Sequence, residues 1–588
     1  MSLSLAEVLA RNRLFRGMAP ALIDELAAAA DFVDLRGGSE LFAAGSAPDC
    51  LYLVVTGRLR AQLGPERSAD IGVGEAVGEI GLISGDARIA PVCAVRDSLL
   101  VRIDAPALLA VLQRYPQALL SLARVVIHRL QENQTEAAGR GRITNLAMLE
   151  TRPGRGLDEA VRRMQQALSR WGAVEVIDEA AVEAALGAGV AEMPYSSDAA
   201  NLDLVRWLHQ RETEAAFLIY TARRASAPWL RRCLRQADSV LLLADAEEAV
   251  SDSTLLDVVG RLQLQVPIAV LLRRGRVAQP VQALAWRAVT GASTQHYWRS
   301  GEDHQIVSLA RQLAGHGNGL VLGGGGARGF AHLGLMRALE ELAIPVDLVG
   351  GSSMGSYIAA LKACGLSSVE MIREARASFV DHNYLNDFML PRVSLIRGRK
   401  ILGRLETVFG QRRIEELDMP FFCVSTNLSR GRAEVHRTGS LALWVATSMA
   451  VPGVAPPVAW RGDLLADGSV VNSLPTDVMR ELARGPVLSS SVSTEGAIHA
   501  PGVEGPDPEA LLNWRSESPR PSLFDILFRT ATMTSESGNK ARAALADVHL
   551  RMPVAEIGLF DWGAIDRVVR IGYEHAIAEL SEHRESLQ

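Results

Sequence analysis

The chain has 588 residues, 48% of them hydrophobic and 22% charged, enough to build real cores in roughly three or four domains of ordinary size. Its 61 basic and 67 acidic residues leave a formal charge of -6, and 5% are aromatic, a balance that argues against a dedicated nucleic-acid binder. The five cysteines (Cys50, Cys93, Cys233, Cys364 and Cys423) are odd in number, scattered and form no CxxC pair, which fits a reducing compartment better than a disulfide framework.

The first residues, MSLSLAEVLARNRLFRG, lack the apolar core of a signal peptide. No stretch reaches the ~18–20 uninterrupted apolar residues of a membrane span. The expected location is therefore cytoplasmic, with any lipid met from the water side as a peripheral contact on the inner membrane face.

From Asp31 to about Arg102, short β-like runs (SELFAAG, CLYLVVTGRLRAQL, SLLVRI) alternate with glycine-bearing turns, and a helical run follows. Residues 1–135 are thus expected to form a small β-barrel with a C-terminal helix. Within it GEIGLISGDARIA, Gly78 to Ala90, resembles the phosphate-binding cassette of cyclic-nucleotide-binding domains, and Gly57 matches that family's turn glycine. The resemblance implies cAMP or cGMP as a regulatory ligand, with Glu79 on the ribose hydroxyl and Arg88 on the cyclic phosphate. Two departures stand out: Ile89 replaces a small or hydroxyl residue, and Pro91 removes an N–H near the pocket. A barrel that has lost its ligand and serves as a docking module is the competing reading.

Residues 136–144 read as a linker, and 145–315 as a doubly wound parallel α/β region. Its apolar strands (NLAMLE, AVEVID, EAAFLIYT, SVLLLAD, PIAVLLR) are separated by helical runs such as LDEAVRRMQQALSRW. It has no GxxxxGK[ST] and no GxGxxG after its first strand, so a structural or regulatory role is expected. The stretch LIYTARRASAPWLRRCLRQADSVLLL is similar to the corresponding region of the neuropathy target esterase family.

The chemistry is expected in 316–588. GGGARG, Gly324 to Gly329, satisfies the dinucleotide pattern GxGxxG behind a strand-like run, and Asp347 lies where a ribose-binding carboxylate would fall. A few residues on, Gly351 to Gly355 spell GSSMG, a nucleophile elbow carrying Ser353 between a strand and a helix. If the elbow is real, Gly324, Gly325 and Gly326 are there to present N–H groups to a developing oxyanion, with Arg328 ordering their loop. This reading accounts for both motifs and their order; the dinucleotide reading leaves the serine a coincidence. Asp467, at the end of the apolar strand in LLADGS, is the candidate base.

GGGGARG, then GSSMG, then ADGS match in order the motifs of the patatin-like phospholipases, whose Ser/Asp dyad works without histidine. Ser469 stands where that family usually has glycine or alanine, and ATSMAVPGVAPPV resembles its proline-bearing stretch before the aspartate. Barrel, α/β region, catalytic domain and a C-terminal helical tail together resemble a bacterial member of the neuropathy target esterase family. The resemblance implies a carboxylic ester of a phospholipid or lysophospholipid as substrate, Ser353 and Asp467 as the dyad, an acyl-enzyme, and no metal or catalytic cofactor. Two alternatives stay open: a Ser-Asp-His esterase using His499 or His549, and a cyclic-nucleotide-responsive scaffold with a vestigial hydrolase fold.

Two segments invite a lipid reading. Residues 389–410, with Arg392, Arg397, Arg399, Lys400 and Arg404, read as an amphipathic helix whose basic face meets either water or a phosphate headgroup. SLFDILFRTATM, 522–533, reads as core packing or as a cover for the active site.

Overall fold

The structure is a computed structural model. It describes residues 4–587 except 13, 16–17, 65–67, 116–142, 155, 195–198, 223–226, 251–253, 263–265, 276–280, 383–386, 391, 494–504, 506–508 and 511–522. Most of the expected linker at 136–144, the helical run after Tyr115 and His499 lie outside the described residues. The chain divides into two compact units, one ending at Val307 and one running Ser308–Gln588.

The N-terminal unit opens with eight antiparallel strands: β1 (Ala30–Leu35), β2 (Glu40–Phe42), β3 (Cys50–Thr56), β4 (Leu59–Gln62), β5 (Ser68–Ile71), β6 (Ala76–Val77), β7 (Val92–Ala94) and β8 (Ser98–Asp104). They form two sheets in the orders β1-β8-β3-β6 and β2-β7-β4-β5. Alternation along β8 explains the packing. Val101 and Ile103 join Leu9, Leu26 and Leu108 of flanking helices, whereas Leu100 joins Val54 and Leu59 in the barrel interior.

The α/β region follows with β9 (Asn145–Glu150), β10 (Val174–Ile177), β11 (Phe217–Tyr220), β12 (Ser239–Asp245), β13 (Ile268–Arg273) and β14 (Thr294–Trp298). They make one parallel sheet in the order β10-β11-β9-β12-β13-β14. All of β11 and the first six residues of β12 are buried, as a parallel sheet covered on both faces requires.

Barrel and α/β region meet through buried charge. Arg96, just after β7, is 4% exposed, donates to Glu212 at 2.7 Å and lies 3.0 Å from the Asp238 carboxylate. The Asp238 carboxylate in turn accepts from the Thr144 hydroxyl and the Asn145 N–H. Beside this pair Thr56 and the buried His209 are hydrogen-bonded at 3.2 Å. Burial, then the nearby Arg96, pushes the His209 imidazole down to about 4, so the ring is neutral at physiological pH.

The C-terminal unit is built on β15 (Gly319–Leu322), β16 (Leu348–Ser352), β17 (Phe421–Asn427), β18 (Arg432–His436), β19 (Val458–Trp460), β20 (Asp463–Asp467), β21 (Val487–Ser491) and β22 (Val548–Arg551). The order is β19-β20-β17-β16-β15-β21-β22, with β18 also on β17. Strands β17, β16, β15, β21 and β22 run parallel, while β18 and β20 pair antiparallel with β17. Helices cover both faces, and β15 shows why. Leu320 and Leu322 pack with the helices Ala331–Glu341, Met354–Ala363 and Ile565–Leu587, and Val321 packs on the other side with Met479 of Thr476–Leu482. The expected helical tail is thus more than a tail, because its first part supplies β22 to the sheet.

Candidate active site

Ser353 sits at the turn between β16 and the helix Met354–Ala363, with φ 51 and ψ -125. A non-glycine residue in that region carries backbone strain, which the surrounding packing holds in place. The flanking glycines are required by close approach: a Cβ on Gly355 would lie 2.1 Å from the Leu322 carbonyl oxygen, and one on Gly351 would lie 2.6 Å from the backbone of Gly355. No larger residue fits at either place without moving β15 away from the elbow.

Asp467 reaches the serine through the sheet register. Ser352 pairs with Val424 on β17, and the next β17 residue, Ser425, pairs with Asp467 on β20. Residues 114 apart in sequence therefore meet, and Ser353 Oγ donates to Asp467 Oδ2 at 2.8 Å. The other carboxylate oxygen accepts the Ser469 N–H at 2.8 Å, and the Thr426 hydroxyl donates to the Asp467 carbonyl. Asp467 is 1% exposed, and burial raises its carboxyl to about 6 against the opposing hydrogen bonds from Ser469 and Ser353.

No histidine stands between serine and aspartate among the described residues. His549 is on β22, where its ring nitrogens face the hydroxyls of Ser489 and Ser491 at 2.7 and 3.3 Å. His332, which the motifs did not point to, is fully buried under the glycine loop. Its Nε2 donates to the Gly323 carbonyl at 2.9 Å, and its Nδ1 accepts from the Ser490 hydroxyl at 3.0 Å. Burial pushes this ring down to about 4 and keeps it in that neutral, loop-holding form.

The three glycines assigned as oxyanion donors part company. Gly324 gives its N–H to the Ser473 carbonyl at 3.0 Å, so that donor is spent. The N–H groups of Gly325 and Gly326 have no acceptor among the described residues, and Gly326 lines the cavity that contains Ser353. The same holds for Met354, at the start of the elbow helix, which the glycine pattern could not reveal. Arg328 does tie the loop down, by donating to the Ile557 carbonyl at 2.7 Å. Ser448 was also missed: its hydroxyl accepts the Ser353 N–H at 3.0 Å and donates to the Val424 carbonyl at 2.6 Å. It belongs to the ATSMAVPGVAPPV stretch, in which Ala450 accepts the Asp467 N–H.

The dinucleotide reading fails at its carboxylate. Asp347 is 1% exposed and accepts from Arg311 twice, from the Ser308 hydroxyl and from the Asn318 N–H, at 2.6–2.9 Å. It anchors the approach to β16 and has nothing left for a ribose.

A narrow apolar cavity of about 80 Å³ leads away from Ser353, walled by Phe379, Ile396, Met449, Phe528, Phe560 and Trp562. Phe379 and Trp562 stack with ring centroids 5.0 Å apart. Phe528 comes from the helix Leu523–Ala543, so the 522–533 segment does contribute to the site. The 389–410 segment is helical only over Arg399–Phe409, and Arg404 is taken by Glu374 at 2.7 Å and the Ser378 hydroxyl at 2.9 Å.

In the barrel, Glu79 and Arg88 are both buried. The Arg88 guanidinium donates to the carbonyls of Gly78 at 2.8 Å and Cys50 at 2.6 Å and lies over the Phe42 ring. Its two terminal nitrogens are occupied by backbone, where the cassette resemblance would put a phosphate. Ile89 is 70% exposed.

Comparison with known proteins places these domains. Residues 32–115 match the cyclic nucleotide-binding domain, 143–304 the Neuropathy Target Esterase family P-loop like domain, and 320–480 the patatin-like phospholipase domain. The second of these contains no GxxxxGK[ST] motif. The chain is 27% identical over 94% of its length to patatin-like phospholipase domain-containing protein 7 of Rattus norvegicus, and 28% identical over 94% to domain-containing protein 6 of Homo sapiens. It is 25% identical over 96% of its length to lysophospholipase NTE1 of Pyricularia oryzae. It spans less than half of each, 45%, 44% and 43% respectively. Among solved structures, Thermus thermophilus catabolite activator protein matches at 27% identity over 27% of this chain and 69% of that one, with a TM-score of 0.20, too low to carry an argument. The chain thus combines, in this order, a cyclic nucleotide-binding domain, a Neuropathy Target Esterase family P-loop like domain and a patatin-like phospholipase domain, and it is similar along nearly its whole length to patatin-like phospholipase domain-containing proteins.

Proposed function

We propose that the protein is a serine hydrolase of glycerolipid carboxylic esters, lysophospholipids or phospholipids, working through a Ser/Asp dyad and an acyl-enzyme. The observation that carries this reading is the 2.8 Å hydrogen bond from Ser353 to a buried Asp467 at the head of an apolar cavity. As Ser353 Oγ attacks the acyl carbonyl, Asp467 Oδ2 takes its proton, and the carbonyl oxygen becomes an oxyanion received by the N–H groups of Gly325, Gly326 and Met354. The ester C–O bond then breaks, the alcohol leaves with the proton from Asp467, and water repeats the sequence to free the fatty acid. Base and oxyanion donors thus come from the chain itself, and the apolar cavity suits the acyl chain.

For the barrel, the ligand class is a cyclic nucleotide, cAMP or cGMP, whose phosphate would have to draw Arg88 off the Gly78 and Cys50 carbonyls. No helix among the described residues is long and apolar enough to cross a membrane, and the substrate is taken to be met from the aqueous side.

Three measurements test the catalytic reading. A fluorophosphonate should label Ser353, which only an activated serine allows, and His549→Ala should retain lysophospholipid hydrolysis. Hydrolysis should also rise about tenfold per pH unit below about 6 and level off above it, because only ionised Asp467 accepts the proton. An inert Ser353, or a rate independent of pH between 4 and 6, would reject the dyad.

A further inference from the structure

Residues 387–390 and 392–397 form two arms of a hairpin beside the cavity. Phe388 bridges Ile396, Met389 N–H donates to the Leu395 carbonyl, and Arg397 N–H donates to the Asp387 carbonyl. The base is fixed: Asp387 accepts the Arg399 N–H at 2.9 Å and so caps the helix Arg399–Phe409. The inner arm is fixed as well, because Leu395 and Ile396 donate to the carbonyls of Gly453 and Val454, and Ile396 and Val454 line the cavity of Ser353.

What this hairpin displays is unusual for a surface. Phe388 is 62% exposed, Leu390 74% and Val393 65%, three large apolar side chains within six residues. Single exposed apolar residues are ordinary, whereas a cluster on a structured projection signals a surface that is covered in use. Arg392, Arg397 and Arg399 are exposed around the cluster, and none has an ion-pair partner among the described residues. Arg399 opens a helix, where the backbone dipole opposes a positive charge, so the helix itself gives no reason for it.

Apolar tips flanked in the chain by arginines that have no ion-pair partner among the described residues, on a hairpin whose Ile396 lines an apolar cavity, fit one occupant: the interface of an anionic glycerophospholipid bilayer. We infer that the two arms, residues 387–390 and 392–397, insert Phe388, Leu390 and Val393 among the lipid chains while Arg392, Arg397 and Arg399 take the phosphates, holding the cavity beside them against the membrane. A water-soluble protein partner or a second copy of the chain would bury the tips but would not draw on anionic lipid.

The test uses the full chain carrying Ser353→Ala, so that binding is read without hydrolysis and independently of the catalytic reading. Sedimentation with vesicles of phosphatidylcholine containing phosphatidylglycerol should show binding that falls by on the order of 10²-fold in Phe388→Ser/Leu390→Ser/Val393→Ser. Arg392→Gln/Arg397→Gln/Arg399→Gln should remove the preference for phosphatidylglycerol over pure phosphatidylcholine vesicles. In the Ser353 background the tip variant should hydrolyse a soluble short-chain ester at the normal rate, which shows that it folds. Equal vesicle binding by the tip variant overturns the proposal. So does self-association of the unaltered chain that the tip variant abolishes in the absence of lipid binding.

Discussion

Ser353→Ala is expected to lower lysophospholipid hydrolysis by on the order of 10⁴-fold or more, and Asp467→Asn by about 10²–10⁴-fold, with fluorophosphonate labelling lost in the first and slowed in the second. The two variants should differ in stability, and this separates a catalytic role from a structural one. Burial holds the Asp467 carboxyl at about 6 in the fold, above its ordinary value near 4. The native state therefore binds this proton more tightly than the unfolded chain, and ionising it costs stability. That cost is absent below about pH 4, grows between about pH 4 and 6, and is constant above, where it amounts to roughly 3 kcal/mol. Asp467→Asn, which cannot ionise, should melt like the unaltered protein at pH 4 and above it at pH 8. Thermal melts across that range check the sign, and an Asp467→Asn protein less stable at pH 8 would make Asp467 a structural anchor.

Arg96→Ala is expected to destabilise the N-terminal unit by about 3–5 kcal/mol, since it leaves the buried Glu212 and Asp238 without their main cation. Arg58, 3.7 Å from Asp238 and partly exposed, compensates only weakly. In a unit of this size the loss corresponds to roughly 5–10 °C in melting temperature. Ser353 lies in the other compact unit, so its labelling at 25 °C should persist. A double change, Arg96→Met with Glu212→Leu, should recover much of the loss, because removing both partners leaves less uncompensated charge. If Arg96→Ala leaves the melt unchanged, the contact between barrel and α/β region does not depend on this network.

The parts of the site legible in sequence are those whose chemistry is local. An elbow needs small residues two positions either side of its nucleophile, and Gly351 and Gly355 are explained by backbone approach within a few residues. A carboxylate ending an apolar strand before a glycine is likewise visible, and that strand is β20. What could not be read was the use of each donor. The glycine run offers three equivalent N–H groups, and only the placement of Ser473 removes Gly324 from the set. The basic run 392–404 reads as one helical face, yet tertiary contacts assign Arg404 to Glu374 and leave Arg392 to Arg399 on and beside a hairpin. Arg88 illustrates the same limit: the cassette resemblance aims it at a phosphate, and the fold turns it onto the carbonyls of Gly78 and Cys50.

By itself the sequence determined the domain order and singled out Ser353 and Asp467 as the candidate nucleophile and base, because spacing, turn residues and strand patterning are properties of the chain near each motif. Only the tertiary structure decided that Ser353 and Asp467 touch, since that depends on β20 pairing with β17 and β17 with β16, a register set by packing across 114 residues. It also decided that Asp347 is an anchor held by Arg311, Ser308 and Asn318. A carboxylate looks the same in any sequence; its role is fixed by which donors the fold brings to it.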